Sequence, residues 1–161
     1  FEFQNPLLKD KNIAFTTTNG TKSIKLSKQW GAAQVAIGSF LNIDVLCKWL
    51  AEQPNDVALL CSGWKDLPNL EDTLFAGAVA EKLKHVFDSA CDSTLMARSL
   101  YQGMKTDLEQ HVRTSSHAQR FNTLHTGQDD VKFCLQFNAA PVLPVMQGEY
   151  IVNAHTAQTI S

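Results

Sequence analysis

Two adjacent carboxylates, Glu71 and Asp72, stand at the start of a predicted helix, after a strand-like apolar run that ends at Gly63. If the helix begins near Leu70, a helical wheel places both carboxylates within the apolar arc that faces the protein body. Buried carboxylates are costly unless they are paired or bind a metal. One interpretation is a magnesium site, because Mg²⁺ takes one or two carboxylates, waters and phosphate oxygens. The other is an ordinary acidic first turn at the positive end of the helix dipole.

A second polar segment, residues 16–21, has the sequence Thr-Thr-Thr-Asn-Gly-Thr and also follows a strand-like run. Its hydroxyls, amide and backbone N–H groups are suited to an anion, because glycine lets the backbone approach closely and helix N-termini bind phosphate. An ordinary Asn-Gly turn is the alternative. The candidate substrate-binding residues here are Thr18, Asn19, Gly20 and Thr21, with Gly63 from the first segment.

A third polar cluster surrounds His117, where Ser115 and Ser116 precede a predicted helix that contains Arg120. His117 is a candidate general acid, and Arg120 is a candidate ligand for phosphate or sulfonate. A capped surface helix with a solvated arginine explains the same residues. No P-loop, GxSxG or HExxH motif occurs in the chain.

The composition predicts one globular domain over residues 1–161, since 44% of the residues are hydrophobic and no low-complexity run occurs. A net charge of -2 without a basic run argues against a nucleic-acid surface. No apolar stretch approaches the roughly 20 residues that cross a bilayer. Four scattered cysteines without a CxxC pair predict buried, reduced thiols in a cytoplasmic protein.

The first half of the chain alternates between strand-like runs, turns and helical patterns. Strands are predicted at 13–17, 34–37 and 57–60, the last buried on both faces, with helices at 21–30 and 40–53. This order is typical of an α/β fold with a mostly parallel sheet and helices on both faces. Ligands bind at the carboxyl ends of such strands, where both polar segments lie.

The second half is predicted to be rich in helices. The predicted helices cover 70–87, with Asn69 as N-cap, and then 93–111, 115–124 and 129–137. Asp129 and Asp130 are interpreted as a helix start and not as a metal site. One or two closing strands are expected within 142–152, where Pro144 favours an edge or a strand start.

Residues 58–63, Ala-Leu-Leu-Cys-Ser-Gly, and residues 70–78, Leu-Glu-Asp-Thr-Leu-Phe-Ala-Gly-Ala, resemble the signature of the 2-phosphosulfolactate phosphatase family. The Thr-Asn-Gly segment, Ser116-His117, Asp130, Cys134 and residues 142–145 resemble further segments of that family. The resemblance covers nearly all of the chain. The combination of the Glu-Asp-x-x-x-Ala-Gly and Thr-Asn-Gly blocks is specific, whereas either block alone is not.

The resemblance implies a Mg²⁺-dependent phosphoric monoester hydrolase, which converts 2-phospho-3-sulfolactate to sulfolactate and phosphate. In this interpretation Glu71 and Asp72 hold Mg²⁺ and the Thr-Asn-Gly segment cradles a small anionic substrate. His117 is a catalytic candidate, and His117 or Arg120 contacts the substrate or supports the site. The nucleophile stays open between a water and a residue outside this chain.

Two departures from the family pattern leave an alternative open. An N-terminal segment with an Asp and an Arg near a strand end is expected to be absent, and Gln4-Asn5-Pro6 stands where the family has Gly-Asn-Ser-Pro. A non-catalytic relative that binds an anionic metabolite or a partner chain would also fit. The open edge of a truncated sheet invites pairing, so the expected partners include a second copy or a companion N-terminal fragment.

Overall fold

In the computed structural model of the protein, seven α-helices and one two-stranded sheet form within residues 6–9, 11, 17, 19–89, 91–121 and 127–154. These are the residues that the structure describes, and at 120, 121 and 127–129 it describes the backbone alone. The helices are α1 (Gly20–Gln29), α2 (Ile43–Ala51), α3 (Leu70–Lys82), α4 (Asp92–Met104), α5 (Leu108–Arg113), α6 (Ser116–Phe121) and α7 (Gly127–Cys134), and the strands are β1 (Pro144–Gln147) and β2 (Tyr150–Asn153). Short 3-10 helices occur at Pro6–Leu8 and Phe40–Asn42.

The start of α3 confirms the prediction from the sequence. Asn69 is the N-cap, and its side chain accepts a hydrogen bond from the Asp72 backbone N–H at 2.8 Å. This bond satisfies one of the donors that a helix N-terminus leaves without a partner. The helix ends at Lys82 and not at 87, and a turn follows, in which the Val86 N–H bonds to the Leu83 carbonyl.

The single helix predicted over 93–111 is wrong, because α4 and α5 are separate. Asp107 is the N-cap of α5, with its side chain accepting from the Gln110 N–H at 3.4 Å. A capping aspartate offers the backbone an alternative to continuing the previous helix, which explains the break. The next two predicted helices are present as α6 and α7, and residues 122–124 of the first prediction lie outside the described residues.

The sheet that the structure describes is antiparallel. Pro144 pairs with Asn153 and Gln147 with Tyr150, so the predicted closing strands are confirmed, with Pro144 at a strand start. The turn between the strands has Gly148 at φ 60°. The predicted strand at 34–37 forms only one antiparallel bridge to β1, through Ala36, so the parallel sheet stays a prediction.

No strand forms at 57–60, and the prediction that this run is buried on both faces is wrong. Leu59 is 38% exposed and Leu60 is 45% exposed. A strand satisfies its backbone groups only through a neighbour, and residues 57–60 have no strand neighbour within the described parts of the chain. Of the strand predicted at 13–17, only Thr17 lies within those parts.

The core lies between α2, α3, α5 and the start of the β1 strand. Its largest fully buried side chains are Ile43, Leu74, Val79 and Leu143. Gly77 lets α3 pack closely against α4, since a Cβ at this position would lie 2.1 Å from the Ala97 carbonyl oxygen.

Buried Asn42 connects this core to the loop that precedes α2. Its side chain accepts from the Ser39 N–H at 2.8 Å and donates to the carbonyls of Ile37 and Val142 at 3.1 and 2.9 Å. A buried amide with these partners fixes the loop, because loss of the side chain would leave backbone groups without hydrogen bonds. The loop places Ser39 and Phe40 beside α3.

The prediction of buried cysteines is wrong for three of the four. All four thiols are free, but only Cys47 is buried, whereas Cys61, Cys91 and Cys134 are exposed. Burial raises the pKa of Cys47 to about 11. None of the helices within the described residues is long and apolar enough to span a membrane.

Cys91 is expected to be the first cysteine that iodoacetamide alkylates at neutral pH. Hydrogen bonds with Ser93 and Thr94 lower its pKa to about 7, so more of it is the reactive thiolate. Peptide mass spectrometry after brief labelling at pH 7.5 measures the order of reaction. Ser93→Ala should slow labelling at pH 7 but not at pH 9.5, where the thiolate forms in either case. Cys61 is exposed as a residue, but partial desolvation of its thiol and the Asp72 charge raise its pKa, so faster reaction at Cys61 would contradict this prediction.

Candidate functional site

A cavity of about 410 Å³ opens beside the first turn of α3. Its polar lining comes from Ser39, Asn69, Glu71, Asp72, His117 and Asp130, and its apolar lining from Gly38, Phe40, Phe75, Val112, Ala118, Val131, Cys134 and Leu135. The three predicted catalytic residues, Glu71, Asp72 and His117, therefore line one cavity. The wheel's prediction that both carboxylates point toward the protein body agrees with this position.

Glu71 and His117 form a close pair across the cavity wall. Glu71 Oε1 lies 2.7 Å from His117 Nδ1, and the two side chains are 27% and 30% exposed. The other carboxylate oxygen, Glu71 Oε2, is buried and has no hydrogen-bond partner among the described residues. Such an atom is costly unless a ligand satisfies it.

The start of α6 places His117 beside Glu71. The buried Ser115 side chain accepts a hydrogen bond from the Ala118 N–H at 3.1 Å, which is a cap at the beginning of the helix. The structure thus combines the capped helix that the sequence suggested with a His117 side chain that lies at the candidate site. His117 is one residue after the helix start, and its side chain reaches the first turn of α3.

Gly63 joins the two polar segments found in the sequence. Its N–H donates to Asp72 Oδ2 at 2.7 Å, and its carbonyl accepts from Asn19 Nδ2 at 2.7 Å. Gly63 has φ 65°, and a Cβ there would lie 2.5 Å from the Leu67 carbonyl oxygen. Only glycine fits this position, so the connection from Asn19 to Asp72 depends on it.

Thr21 does not reach the cavity. Its N–H donates to Thr17 Oγ1 at 3.1 Å, and its hydroxyl donates to the Thr17 carbonyl at 3.3 Å. Together with Lys22, Lys25, Leu26 and Gln29, it lines a separate depression along α1. Gly20 begins α1, and Thr18 and the Arg120 side chain lie outside the described residues, so the cradle of residues 18–21 stays a prediction.

Sequence reasoning missed three residues at or beside the site. Ser39 and Asp130 line the cavity, and the Trp64 ring lies 6.1 Å from the His117 ring, measured between centroids. Asp130 had a signal in the family resemblance, but spacing alone assigned it to a helix start. Trp64 had no motif signal, because its position depends on how the following turn folds.

The charges around the cavity are mostly negative. Its described lining has three carboxylates and one histidine but neither lysine nor arginine. Burial raises the pKa of the nearby Cys61 thiol, and the Asp72 carboxylate raises it further. An anionic ligand at this wall would therefore need a cation to offset the like charges.

The donor atoms fit a magnesium ion better than a transition metal. No group of three or more His, Cys, Asp or Glu side chains suited to a metal occurs within the described residues. Mg²⁺ does not need such a group, since it keeps several waters and takes one or two carboxylates with phosphate oxygens. The buried Glu71 Oε2 is a hard oxygen atom that has no hydrogen-bond partner in the part of the chain that the structure describes, and Asp72 lines the same cavity.

A histidine paired with one carboxylate, beside a second carboxylate, is a set of groups that hydrolytic enzymes use for acid–base and metal-assisted chemistry. A family profile described as 2-phosphosulpholactate phosphatase matches residues 1–149. The chain belongs to the 2-phosphosulfolactate phosphatase family, which confirms the resemblance seen in the sequence.

Curated relatives agree with this assignment. A protein of Symbiobacterium thermophilum named "Probable 2-phosphosulfolactate phosphatase" is 36% identical over 154 residues, which are 94% of this chain and 64% of the relative. Proteins with the same name from Caldanaerobacter subterraneus and a Picosynechococcus species are 31% and 34% identical, over 91% and 90% of this chain. The chain spans 60–64% of the length of these three relatives.

Proposed function

We propose that the chain carries the catalytic cavity of a Mg²⁺-dependent phosphatase that acts on a small phosphorylated acid. The names of the relatives make 2-phospho-3-sulfolactate the first substrate to test. The observation that carries the proposal is Glu71 Oε2, a buried carboxylate oxygen with no hydrogen-bond partner among the described residues, in a cavity that Asp72 and His117 also line. The four free thiols support a reducing, cytoplasmic location.

Glu71 and Asp72 are the residues that would hold the ion. Bound Mg²⁺ would polarise the phosphoryl group and offset its charge against the carboxylates of the cavity. The hydrogen bond from Gly63 to Asp72 Oδ2 and the cap from Asn69 fix the Asp72 residue in place. These contacts keep the carboxylate in one orientation, so less conformational freedom is lost when a ligand binds.

His117 is the residue that we assign to proton transfer. Its Nδ1 lies 2.7 Å from Glu71 Oε1, so Nε2 is the nitrogen that we assign to proton exchange with a substrate. When the imidazole is protonated, Nε2–H can be given to the ester oxygen as its bond to phosphorus breaks, while the phosphoryl group is transferred, directly or through a nucleophile, to water. Glu71 would then hold both the ion and the proton donor, through different oxygens.

The experiment is a phosphate-release assay with and without Mg²⁺ on 2-phospho-3-sulfolactate, 2-phosphoglycolate and 2-phosphoglycerate. We expect Mg²⁺-dependent release that falls to the metal-free level in Asp72→Asn, because the amide removes one negative ligand. Asp88→Asn makes the same change beyond the far end of α3, at an exposed position, and should behave as the unmodified protein. Equal release by Asp72→Asn and Asp88→Asn would contradict the metal assignment.

We propose, as a second candidate function, that residues 57–61 pair with an extended strand from outside residues 1–161. This run is apolar and is separated from Gly63 only by Ser62, and Leu59 and Leu60 are exposed. The occupant that we propose is the part of the family polypeptide that this chain does not match, because the relatives extend by more than a third of their length beyond the match. An exposed apolar segment of this kind can pair with an added strand through its backbone groups.

Mixing this chain with the unmatched part of the Symbiobacterium relative, expressed separately, tests the second candidate. A one-to-one complex should form, and the amides of residues 57–61 should become protected from hydrogen exchange. Leu60→Lys should weaken the complex, whereas Met96→Lys, at an exposed position on α4, should not. Protection of the same amides by self-association, without the added polypeptide, would identify a second copy as the occupant and contradict the proposal.

A further inference from the structure

A tight two-residue turn carries Trp64 to the edge of the site. Trp64 and Leu67 exchange backbone hydrogen bonds, with N···O distances of 2.8 and 3.0 Å, around Lys65 and Asp66. Both central residues have positive φ, 52° for Lys65 and 60° for Asp66. Turns of this kind normally use Asn-Gly or Gly-Gly, because side chains other than those of Gly, Asn and Asp rarely adopt this backbone conformation.

Contacts on both sides hold the turn in this conformation. Lys22 forms an ion pair with Asp66, and Gly63, directly before the turn, is bonded to Asn19 and Asp72. Strained backbone persists where the surroundings determine it, and it occurs often at functional sites. The turn is thus fixed to α1 by Asn19 and Lys22, and to the first turn of α3 by Asp72.

The turn places the Trp64 indole against the His117 imidazole. The ring centroids are 6.1 Å apart, with 38° between the ring planes, and Lys65 Nζ lies 4.5 Å from the Trp64 ring centroid. His117 lines the cavity, whereas Trp64 is not among its lining residues. Trp64 therefore lies beside the proposed proton donor and is not a lining residue of the cavity.

We propose that Trp64 is a positioning residue that fixes the plane of the His117 ring. The hydrogen bond between Nδ1 and Glu71 holds one atom of the imidazole, and the neighbouring indole adds a restraint on the plane of the ring. An indole whose centroid lies 6.1 Å from that of the imidazole, with 38° between the ring planes, limits rotation of the His117 ring, so Nε2 keeps one direction toward the substrate. This inference rests on the proposed phosphatase function, because it concerns the same histidine.

Substitution of Trp64 separates this role from simple packing. Trp64→Ala should lower kcat about tenfold with KM changed less than twofold, because the proton donor is misdirected while binding is kept. Trp64→Phe keeps an aromatic face and should restore most of kcat. Trp30→Ala removes an indole that is 70% exposed on the C-terminal cap of α1 and should change neither constant.

A double-mutant cycle gives a second test of the coupling. In a His117→Ala background, Trp64→Ala should have no further effect on kcat, because the ring that it positions is gone. Equal and independent losses in the two backgrounds would overturn the proposal. A rise in KM with kcat unchanged in Trp64→Ala would also overturn it, since that result describes a substrate contact.

The NMR signals of the His117 ring provide a readout that does not require activity. The indole shifts these proton resonances by its ring current, so Trp64→Ala should move them in the folded protein and Trp30→Ala should not. Unchanged His117 signals in folded Trp64→Ala would overturn the positioning role. If the unmodified protein releases no phosphate, the proposed function fails, but the NMR comparison still decides whether Trp64 holds the His117 ring.

Discussion

Gly77→Ala is expected to lower the free energy of unfolding by about 2 kcal/mol. The added Cβ would lie 2.1 Å from the Ala97 carbonyl oxygen and 2.6 Å from its carbonyl carbon, and neither backbone atom can rotate away. The two helices must separate, which costs up to about 3 kcal/mol and exceeds the roughly 1 kcal/mol that alanine gains in a helix. For a chain of this length the melting temperature should fall by roughly 4–8 °C.

Gly103→Ala is the matched control for the Gly77 prediction. Gly103 also lies in a helix, α4, but a Cβ there would meet nothing within 4 Å. This substitution should leave stability unchanged or raise it by about 0.5–1 kcal/mol, because only the backbone entropy of the unfolded chain changes. Urea unfolding followed by circular dichroism at 222 nm compares the two variants. Equal midpoints for both would show that α3 and α4 are not in close contact at Gly77.

Features that depend on neighbouring residues in the sequence could be predicted well. Asn69 capping α3, the termination of α1 before Gly31 and the strand start at Pro144 follow from local backbone chemistry, and all three are present. Helices satisfy most of their hydrogen bonds internally, so their positions are encoded locally. Because helix geometry is regular, the helical wheel also predicted that Glu71 and Asp72 point toward the protein body, where they line the cavity.

Features that depend on distant partners could not be predicted. The run at 57–60 has the composition of a buried strand, but a strand forms only where another segment pairs with it. The turn at Lys65 and Asp66 lacks the glycine that normally indicates positive φ, so the position of Trp64 could not be inferred. The apolar spacing over residues 93–111 predicted one helix, but Asp107 caps α5 and separates it from α4.

The candidate site was predicted in part, for a related reason. The chain positions of the Asn19 and Asp72 segments indicated that they should meet, and Gly63 connects them. Residue type alone did not separate Asn19, which faces that connection, from Thr21, which is bonded to Thr17. The direction of a side chain at a turn depends on the backbone angles, which composition does not determine.

Gly63→Ala is expected to lower kcat/KM for phosphate release about 100-fold, because it displaces the backbone that holds Asp72. The new Cβ would lie 2.5 Å from the Leu67 carbonyl oxygen, and residue 63 has a φ of 65° that alanine adopts only with strain. Relief of this contact moves the N–H away from Asp72 Oδ2 and the carbonyl away from Asn19. The aspartate then loses a charge-assisted hydrogen bond, and its carboxylate is no longer fixed toward the cavity.

Gly148→Ala separates this local effect from the general cost of alanine at positive φ. Gly148 has φ 60° in the turn between the two strands, and a Cβ there would meet nothing within 4 Å. Both variants should therefore lose about 1 kcal/mol of stability from backbone strain. Only Gly63→Ala should also lose activity and weaken Mg²⁺ binding, which calorimetry measures without turnover. Equal kcat/KM and equal Mg²⁺ affinity in the two variants would mean that the Gly63 junction does not position Asp72, and that the carboxylate is oriented by the Asn69 cap and the helix alone.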